Sequence, residues 1–336
     1  MNTDRLSQTI EKMFPLGKGI LAIDESIETA NKKRLIPLGI EPTEENRRKF
    51  RDLFLATDGI EEYLSGVILF DETMRQVADS GKSFLDILKE KDIAIGIKVD
   101  EGSKPSELFP GEEITSGLGA LALRLDEYVQ MGAVFCKWRA VVRIDQELGF
   151  PTEGALRENC QRLARYAEIC QQKGLVPMVE PEVLLEGSHS LATSREVLER
   201  VLDVLFEELV ARGVSLPHLV LKTSMVLPGS LSGDRVSPQI VAEETVSVLR
   251  MNVPRDVGGI VFLSGGQTHE EATDNLREIG TYESLPWPVT FSYARAIQGP
   301  VLDVWEGEEE NKEEARAEYI EILKKESQAT LGREEQ

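Results

Sequence analysis

The sequence predicts a (β/α)8 barrel, because eight short apolar runs rich in β-branched residues alternate with helical patterns along most of the chain. Nearly continuous apolar runs of this kind are typical of parallel strands that helices cover on both faces. The runs span 18–24, 65–71, 93–100, 132–142, 175–183, 218–226, 258–266 and 288–294. An open doubly wound sheet would show the same alternation, but neither glycine-rich phosphate loop, G-x-G-x-x-G or G-x-x-x-x-G-K-[ST], is present. The closed barrel is therefore the favoured architecture.

Helical segments separate several of the predicted strands, and their first residues carry capping signals. The patterns cover 155–174, 194–213, 237–252 and 268–280. Ser194 and Ser237 are predicted N-caps, and a proline follows Ser237 at the first helical position. Thr268 and Glu271 form a Thr-x-x-Glu capping box, which marks the start of a helix.

The two ends of the chain extend the barrel. Residues 1–17 are predicted to form a helix that precedes the first strand. A charged amphipathic helix is predicted around Glu313–Glu326, and the polar tail after it is expected to be mobile. We expect one domain, 1–336, with the barrel at about 18–300 and the C-terminal helix and tail at about 301–336.

Charge and cysteine content argue against several classes of function. The formal net charge of −21 disfavours non-specific binding to nucleic acid or an anionic membrane, but not to a phosphorylated substrate, which responds to local cations. Three cysteines without a C-x-x-C spacing argue against a disulfide framework. The first residues lack the order of a secretory signal, and no apolar stretch approaches the ~20 residues of a membrane span. We therefore expect a cytoplasmic protein that binds neither nucleic acid nor membrane.

Lys222 lies in the apolar run HLVLKTSMVLPG, close to the end of the sixth predicted strand. A lysine seldom occupies such a run unless it is paired or has a chemical task. Desolvation and nearby cations lower the pKa of an amine, and a neutral amine can attack a carbonyl. Alternation along the strand places Val220, Lys222 and Ser224 on one face and Leu219 and Leu221 on the other, so Lys222 is predicted to point into the barrel.

Other predicted strands also carry isolated charges late in their runs. These residues are Asp24, Lys98, Lys137, Arg139, Glu180 and Glu182. In a (β/α)8 barrel, catalytic groups lie at the C-terminal ends of the strands, which is where these residues fall. The repeated placement indicates an enzyme whose site is assembled from several strand ends.

These residues fit imine chemistry. A neutral Lys222 would attack a ketone, and the protonated imine would draw electrons from the adjacent carbon–carbon or carbon–hydrogen bond. Lys137 would help to keep Lys222 unprotonated by like-charge repulsion. Glu180 would shuttle protons while water is lost from the carbinolamine, and Asp24 would accept a proton from a substrate hydroxyl.

An interpretation without catalysis competes with this one. A strand lysine is more often the ion-pair partner of a buried carboxylate than a nucleophile, and Glu180 and Lys137 could form such a pair. Glu182 fits either a hydrogen-bond acceptor behind the site or a chemical participant. The clustering of charges at strand ends favours catalysis.

A glycine turn and a nearby arginine predict a phosphate site. The segment LSGGQT (263–268) leads from a strand through two glycines to a helix start, where backbone N–H groups can hold an anion. Arg295, at the end of the eighth predicted strand, would lie beside this turn in a closed barrel. A second anion site across the mouth would use Lys98, Arg139 and the cationic stretch 32–34.

Metal catalysis is not expected. The three histidines, His189, His218 and His269, are scattered, and no H-E-x-x-H motif or acidic metal loop occurs. His269, in the opening turn of a predicted helix, is expected at the surface. We therefore expect neither a metal nor another cofactor.

These motifs together resemble those of class I fructose-bisphosphate aldolases, the metal-free, Schiff-base type of this enzyme. The resemblance covers roughly 18–300 and presents seven motifs in family order: GILAIDES, GIKVD, FCKWR, VEPE, LKTSMV, FLSGGQ and SYARA. It implies a carbon–carbon lyase, usually a homotetramer, with a sugar bisphosphate as its substrate. The implied reaction is reversible cleavage of fructose 1,6-bisphosphate to dihydroxyacetone phosphate and glyceraldehyde 3-phosphate, in glycolysis, gluconeogenesis or carbon fixation.

The resemblance also implies roles for individual residues. Lys222 would form the imine, Glu180 would be the main acid and base, and Lys137 would be the neighbouring cation. Asp24 would handle the hydroxyl proton at the bond being cleaved, and Glu182 belongs to the same carboxylate pair as Glu180. One substrate phosphate would bind Ser264, Gly265, Gly266, Ser292 and Arg295. The other would bind Lys98, Arg139 and Arg34.

The sequence departs from the family pattern at three places. It ends in GREEQ rather than in the tyrosine that assists proton exchange in animal members, and its last tyrosine, Tyr319, falls in a predicted helix. The segment IETANKKRL is one residue longer than the usual form, so either Lys33 or Arg34 takes the place of the family's arginine. Ala294 stands where glycine is common.

Two other functions stay open at this point. One is a different lysine-imine barrel, such as a transaldolase-like carbon transferase or a deoxyribose-phosphate aldolase; two phosphate sites favour a bisphosphate substrate instead. The other is a catalytically silent barrel that acts as an oligomeric scaffold or binds sugar phosphates without forming an imine. A silent barrel would have little use for Lys222, Lys137 and Glu180 together.

Overall fold

Eight parallel strands form one sheet that curves into a barrel in a computed structural model, which describes residues 3–333. We label the barrel strands β1 (Gly19–Ile23), β2 (Leu64–Leu69), β3 (Ala94–Lys98), β4 (Phe135–Val142), β5 (Val176–Val183), β6 (Val220–Thr223), β7 (Gly259–Phe262) and β8 (Val289–Phe291). Each strand pairs with the next strand in chain order. The backbone N–H of Ala22 donates to the carbonyl of Tyr293 at 2.9 Å, which joins the first strand to the last. The predicted (β/α)8 barrel is confirmed.

Helices cover the outside of the barrel. The α-helices are Thr3–Met13, Ile27–Ala30, Glu44–Leu55, Asp71–Met74, Phe84–Glu90, Leu121–Met131, Glu153–Gln172, Leu191–Ala211, Pro238–Asn252, His269–Gly280, Arg295–Trp305 and Lys312–Thr330. A π-helical turn (Asn31–Leu35) and four 3-10 turns (Ile36–Leu38, Ile60–Glu62, Leu216–His218 and Glu309–Asn311) lie in the connections. A short antiparallel hairpin, Ser103–Pro105 with Glu113–Thr115, follows β3. None of the helices within residues 3–333 is long and apolar enough to cross a lipid bilayer.

The predicted helix starts are partly correct. Thr268 and Glu271 form the expected capping box. The predicted N-cap Ser194 is wrong, because Ser190 accepts the capping hydrogen bond from the backbone N–H of Thr193 and the helix begins one turn earlier. Pro238 is at the first helical position as predicted, but the side chain of Ser237 makes no capping hydrogen bond.

The N-terminal helix closes the lower end of the barrel, opposite the C-terminal ends of the strands. Leu6 and Met13 pack with the side chains that fill the barrel interior: Ile20, Ala22, Ile68, Ala94, Phe135, Val176, Met178, Val220 and Val261. Glycines leave room for the aromatic rings at this level. A Cβ atom on Gly259 would lie 2.3 Å from the ring of Phe14, and one on Gly96 would lie 2.2 Å from the ring of Phe135. Side chains therefore fill the lower part of the barrel, and the upper end is left for chemistry.

The C-terminal helix, Lys312–Thr330, packs against the two helices that flank β8. It extends beyond the predicted Glu313–Glu326 because Glu326 and Ala329 are buried against the barrel rather than exposed in a tail. Residues 327–330, which the prediction placed in a mobile tail, are thus helical. Residues 334–336 of the predicted tail and residues 1 and 2 of the predicted N-terminal helix lie outside the described residues. That 1–336 form one domain stays a prediction.

Candidate active site

Lys222 points into the barrel, as strand alternation predicts. Val220, two residues earlier on β6, belongs to the interior cluster, whereas Leu219 and Leu221 belong to the layer between strands and helices. Lys222 is only 3% exposed. A buried amine at this position needs polar partners, and strand β5 supplies one.

Glu180, on β5, lies between two lysines. Its Oε1 atom is 3.1 Å from the Nζ of Lys222, and its Oε2 atom is 3.0 Å from the Nζ of Lys137. All three side chains are buried. Although Lys137 is close, Glu180 Oε2 makes no hydrogen bond within the described residues. One carboxylate thus contacts both amines and retains an acceptor atom for a further partner.

Asp24 joins this cluster from the other side of the barrel. It follows β1, and its Oδ2 atom lies 2.6 Å from the Nζ of Lys137 on β4. Strands β1 and β4 do not pair, so this ion pair crosses the interior of the barrel. The structure therefore brings together Lys222, Glu180, Lys137 and Asp24, the four residues to which the sequence assigns the main chemistry.

Mutual charges keep these carboxylates ionised. Burial alone would raise the pKa of Asp24, but Lys137 and Lys222 outweigh it and hold this pKa at about 2. For Glu180 burial acts in the same way, yet Lys137, Lys222 and Arg139 lower the pKa below its ordinary value. Burial would lower the pKa of Lys137, but Asp24, Glu180 and Asp100 raise it instead. Lys137 is consequently a charged cation paired with Asp24 and Glu180, and its expected effect on Lys222 stays a prediction.

A second group of charges lies at the ends of β3 and β4. The Nζ of Lys98 is 2.6 Å from Oδ1 of Asp100. The guanidinium of Arg139 forms an ion pair with Glu182, one strand away on β5. Glu182 therefore contacts Arg139 rather than the Lys222 cluster, which favours the hydrogen-bond acceptor over the chemical participant among its two predicted roles.

The glycine turn after β7 and the start of the helix after β8 lie together, as predicted. Gly265 and Gly266 have φ values of +60° and +107°, which favour glycine. A Cβ atom on Gly266 would lie 3.3 Å from Nη2 of Arg295, so the turn and the guanidinium are in direct proximity. Ser264 is buried beside them. Ala294 has φ −111° and ψ −83°, so its φ lies outside the left-handed region that favours glycine.

Two groups at this end have no partner within residues 3–333. The Oγ atom of Ser292 is buried without a hydrogen bond. Arg295 is exposed and makes no hydrogen bond or ion pair in the described part of the chain. Hydrogen-bond donors left without partners next to two glycines form a suitable cradle for an anion.

Arg34 is bound by protein groups. Its Nη2 atom lies 2.9 Å from Oε1 of Glu25, and its Nε atom lies 2.6 Å from Oε1 of Gln298. Arg51 contacts the other oxygen of Glu25 at 3.2 Å. Lys33, the alternative to Arg34, is exposed. Arg34 thus faces the barrel, but it would have to exchange a carboxylate for a phosphate to bind substrate.

Three buried polar residues at the site go unpredicted from the sequence: Asp100, Glu25 and Gln298. Asp100 ends the run IGIKVD two residues after Lys98, so the alternation that points Lys98 inward would also have found it. Glu25 directly follows Asp24 and could have been suspected as a partner for a cation. Nothing in the pattern of its helix marks Gln298.

The histidines do not form a metal site. No group of three or more histidine, cysteine, aspartate or glutamate side chains in residues 3–333 could hold a metal ion. His218 lies between the hydroxyls of Ser7 and Ser215, at 2.9 and 2.8 Å. The predicted surface position of His269 is wrong, because its Nδ1 atom lies 3.3 Å from the buried carboxylate of Glu326 and its side chain is only 17% exposed. The C-terminal helix covers it.

A cleft of about 910 Å³ opens next to the site, between the loops that follow β4 and β5. Arg139, Arg143, Asp145, Glu186 and His189 are among its lining residues. Arg139 borders this cleft, and its side chain is 41% exposed, so the β3–β4 end of the site is open to solvent.

Comparisons with known proteins identify relatives of this chain. A family model described as fructose-bisphosphate aldolase class-I matches residues 5–336. A probable class 1 fructose-bisphosphate aldolase of Xanthomonas campestris pv. campestris is 47% identical over 305 residues, which cover 91% of this chain and 90% of that protein. The cytosolic fructose-bisphosphate aldolase 4 of Arabidopsis thaliana is 46% identical over 317 residues, covering 94% of this chain and 80% of that protein.

A solved structure shows the same fold. The fructose-bisphosphate aldolase of Plasmodium falciparum, crystallised with TRAP and a small-molecule inhibitor, superposes with a TM-score of 0.96 at 42% identity, covering 99% of this chain and 96% of that chain. Because the family model matches nearly the whole sequence and the relatives are similar over most of their lengths, this chain belongs to the class-I fructose-bisphosphate aldolase family.

Proposed function

We propose that this protein reversibly cleaves fructose 1,6-bisphosphate to dihydroxyacetone phosphate and glyceraldehyde 3-phosphate through a Schiff base on Lys222. The observation that carries the proposal is the position of Lys222. It is a buried amine at the C-terminal end of a barrel strand, in contact with Glu180, which in turn contacts Lys137. Membership of the aldolase family supports the class of reaction, and this cluster supports the assignment of the residues that would perform it.

Imine formation begins when the unprotonated Lys222 amine attacks the C2 ketone of the open-chain sugar. The resulting carbinolamine loses water after its oxygen takes up a proton, and the nitrogen then carries the positive charge of a protonated imine. Glu180 lies at 3.1 Å from the Lys222 amine and has one oxygen without a hydrogen bond, so it is placed to move protons between nitrogen and oxygen. Lys137, beside Glu180, stabilises its ionised form.

Cleavage uses the protonated imine as the electron sink. The electron pair of the C3–C4 bond moves toward C2 and neutralises the imine nitrogen, giving an enamine, while the C4 hydroxyl loses its proton and becomes the aldehyde of glyceraldehyde 3-phosphate. Asp24 accepts this proton. Protonation of the enamine at C3 and hydrolysis of the imine then release dihydroxyacetone phosphate and restore Lys222. No metal is needed, because the imine nitrogen takes up the electrons that a metal ion would otherwise stabilise.

Two cationic regions on opposite sides of the barrel fit a substrate with a phosphate at each end. The glycine turn with Ser264, Ser292 and Arg295 lies at β7 and β8, and Lys98 and Arg139 lie at β3 and β4. In an eight-stranded barrel these strand pairs face each other across the mouth. Lys222, on β6, lies between them along the rim. The arrangement favours a bisphosphate over a monophosphate.

The cellular setting follows from the same proposal. We place the protein in the cytoplasm, in agreement with its cytosolic relatives in Arabidopsis thaliana, and infer a role in glycolysis, gluconeogenesis or carbon fixation.

We also propose a homotetramer. Large apolar side chains such as Leu108 and Leu123, 82% and 75% exposed, are suitable for contacts between copies. Light scattering of the purified protein tests the assembly directly.

The decisive experiment is borohydride reduction of the protein in the presence of dihydroxyacetone phosphate and EDTA, followed by peptide mass mapping. We expect a covalent adduct on Lys222 and cleavage activity that EDTA does not reduce. An adduct on another lysine would show that the proposal assigns the imine to the wrong residue. Loss of activity with EDTA and no adduct would replace the proposal with a metal-dependent reaction. Binding of the sugar phosphate with neither adduct nor cleavage would point to a silent barrel.

A further inference from the structure

Asp100 is a buried carboxylate surrounded by cations and donors at the ends of β3 and β4. Its side chain is 2% exposed. Oδ1 lies 2.6 Å from the Nζ of Lys98 and accepts a hydrogen bond from the backbone N–H of Gly102 at 3.1 Å. Oδ2 accepts from the backbone N–H of Arg139 at 3.2 Å. Both oxygens of one carboxylate are therefore used to connect the two cationic residues of this region.

The register of the sheet explains why a negative charge is needed here. Lys98 and Lys137 are direct neighbours across the β3–β4 pair, and two like charges in this position repel each other. The carboxylate of Asp100 also raises the pKa of Lys137 and of Arg139, although other carboxylates contribute more to each. Asp100 thus supplies negative charge to a cluster of three cations.

The contacts also fix the direction in which Lys98 points. A lysine side chain has four rotatable bonds and loses much conformational freedom when its ammonium group is held in one place. Lys98 is held by the Asp100 carboxylate and, at 2.9 Å, by the Asp100 backbone carbonyl. Asp100 takes two of the three donors of the ammonium group, so an anion can use the third without displacing the carboxylate. This anion meets an ammonium group whose ordering has already taken place, which strengthens binding.

We propose that Asp100 is a positioning residue, which holds Lys98 by its ammonium group and Arg139 by its backbone N–H. The two residues held in this way form the binding subsite for the phosphate farther from the glycine turn. Asp100 thereby sets the preference of the protein for a sugar bisphosphate over a sugar monophosphate. The inference rests on the proposed function, since it assigns selectivity to one end of the same site. A substrate without a phosphate at this end gains nothing from the fixed ammonium group.

The test compares kcat/KM for fructose 1,6-bisphosphate and fructose 1-phosphate in the native protein and in Asp100→Asn. The asparagine keeps the size of the side chain but removes its charge and one of its acceptor atoms. We expect kcat/KM for the bisphosphate to fall by about ten-fold, mainly through KM, and that for the monophosphate to fall much less. An equal loss for both substrates, or an unchanged ratio, would overturn the inference.

Asp52→Asn is the matched control. Asp52 is also buried, pairs with Lys312 and Arg316, and accepts from the backbone N–H of Asp79, but it lies away from the barrel mouth. This variant should lose stability and leave the ratio of the two kcat/KM values as it is. If Asp100→Asn does not fold, Asp100→Glu replaces it; this change keeps the charge but displaces it by one methylene, and the ratio should still fall.

A double-mutant cycle separates positioning from a general effect on folding. In a Lys98→Gln background, Asp100→Asn should change the ratio little further, since the group it positions is already absent. Additive effects of the two changes on the ratio would contradict the inference. Failure of the native protein to cleave either sugar would instead contradict the proposed function, so the two outcomes are distinguishable.

Discussion

The ammonium group of Lys137 lies 2.6 Å from the carboxylate of Asp24, although the two residues belong to opposite parts of the strand order. The same ammonium group contacts Glu180 on the neighbouring strand β5. Three side chains that are far apart in sequence thus form one buried charge cluster, and Lys222 joins it through Glu180. In the mechanism that we propose, stability and chemistry depend on the same few atoms, which allows several tests.

Replacing Lys137 with methionine should destabilise the protein strongly. The change leaves Asp24 and Glu180 buried with fewer cationic partners, and an uncompensated buried charge costs about 3–5 kcal/mol. Urea denaturation monitored by circular dichroism measures the loss. Lys173→Met is the control, because Lys173 forms a partly exposed pair with Asp126 and its removal should cost less than about 1 kcal/mol. Equal effects of the two changes would mean that the cluster contributes no special stability.

Lys222→Ala and Lys222→Arg should both abolish cleavage, with kcat at least about a thousand-fold lower. Arginine retains a positive charge next to Glu180, but it cannot form the imine. The comparison therefore distinguishes two roles of Lys222, that of a nucleophile and that of an ion-pair partner. Stopped or steady-state cleavage assays with the purified variants measure the difference. Substantial activity in Lys222→Arg would show that the charge, and not the amine, is what the reaction needs.

Glu180→Gln should lower kcat by about 10²–10⁴-fold and change KM far less, because glutamine retains the shape of the side chain but cannot transfer a proton. The control is Glu112→Gln. Glu112 is also buried and accepts a hydrogen bond from the Thr152 backbone at 3.0 Å, but it lies in the hairpin after β3. A Glu180 effect confined to KM would remove this residue from proton transfer.

The stabilising contribution of the ionised Asp24 carboxylate should be lost in acid. Its pKa is lowered from 3.8 to about 2, so the carboxylate stabilises the folded state fully above about pH 4, and this stabilisation is lost as the pH falls toward 2. The free energy of unfolding should decrease by about 1 kcal/mol more in the native protein than in Asp24→Asn between pH 6 and pH 3. Parallel urea titrations at both pH values measure the difference. Identical decreases would mean that Lys137 and Lys222 do not lower this pKa.

Gly266→Ala should weaken phosphate binding as well as stability. At φ +107°, the backbone of an alanine is strained. Its Cβ atom would also lie 3.3 Å from Nη2 of the Arg295 guanidinium. Gly213 has φ +69° and no atom within 4 Å of an added Cβ, so Gly213→Ala has strain without crowding. Both variants should lose about 1 kcal/mol of stability. Only Gly266→Ala should raise KM, and a similar rise in both would exclude a specific contact with Arg295.

The sequence was sufficient for the barrel and for the direction of the buried charges. Both follow from local periodicity: apolar runs mark the strands, and the parity of Lys222 with Val220 decides which face it occupies. The partners of each charge were harder to predict. The pair of Arg139 with Glu182 and the contact of Arg34 with Gln298 depend on where distant segments meet, and no local pattern encodes that.

The position of His269 shows the same limit. Its place in the first turn of a capped helix suggests exposure, but the C-terminal helix returns to the barrel and brings Glu326 next to it. The exposure of a helix residue thus depends on elements that come later in the sequence and pack against that helix. The N-cap prediction for Ser194 is wrong for a different reason: Ser190 and Ser194 lie one turn apart, and both fit the capping rule.

The N-terminal helix and the aromatic rings of Phe14 and Phe135 fill the barrel below Lys222, where Gly259 and Gly96 give them space. In the mechanism that we propose, substrate and both products therefore pass through the opposite end, where the strands have their C-terminal residues. The ketone fragment stays covalently bound to Lys222 until the imine is hydrolysed, so the free aldehyde departs first. The filled lower end of the barrel thus sets the route of product release, and the covalent bond sets its order.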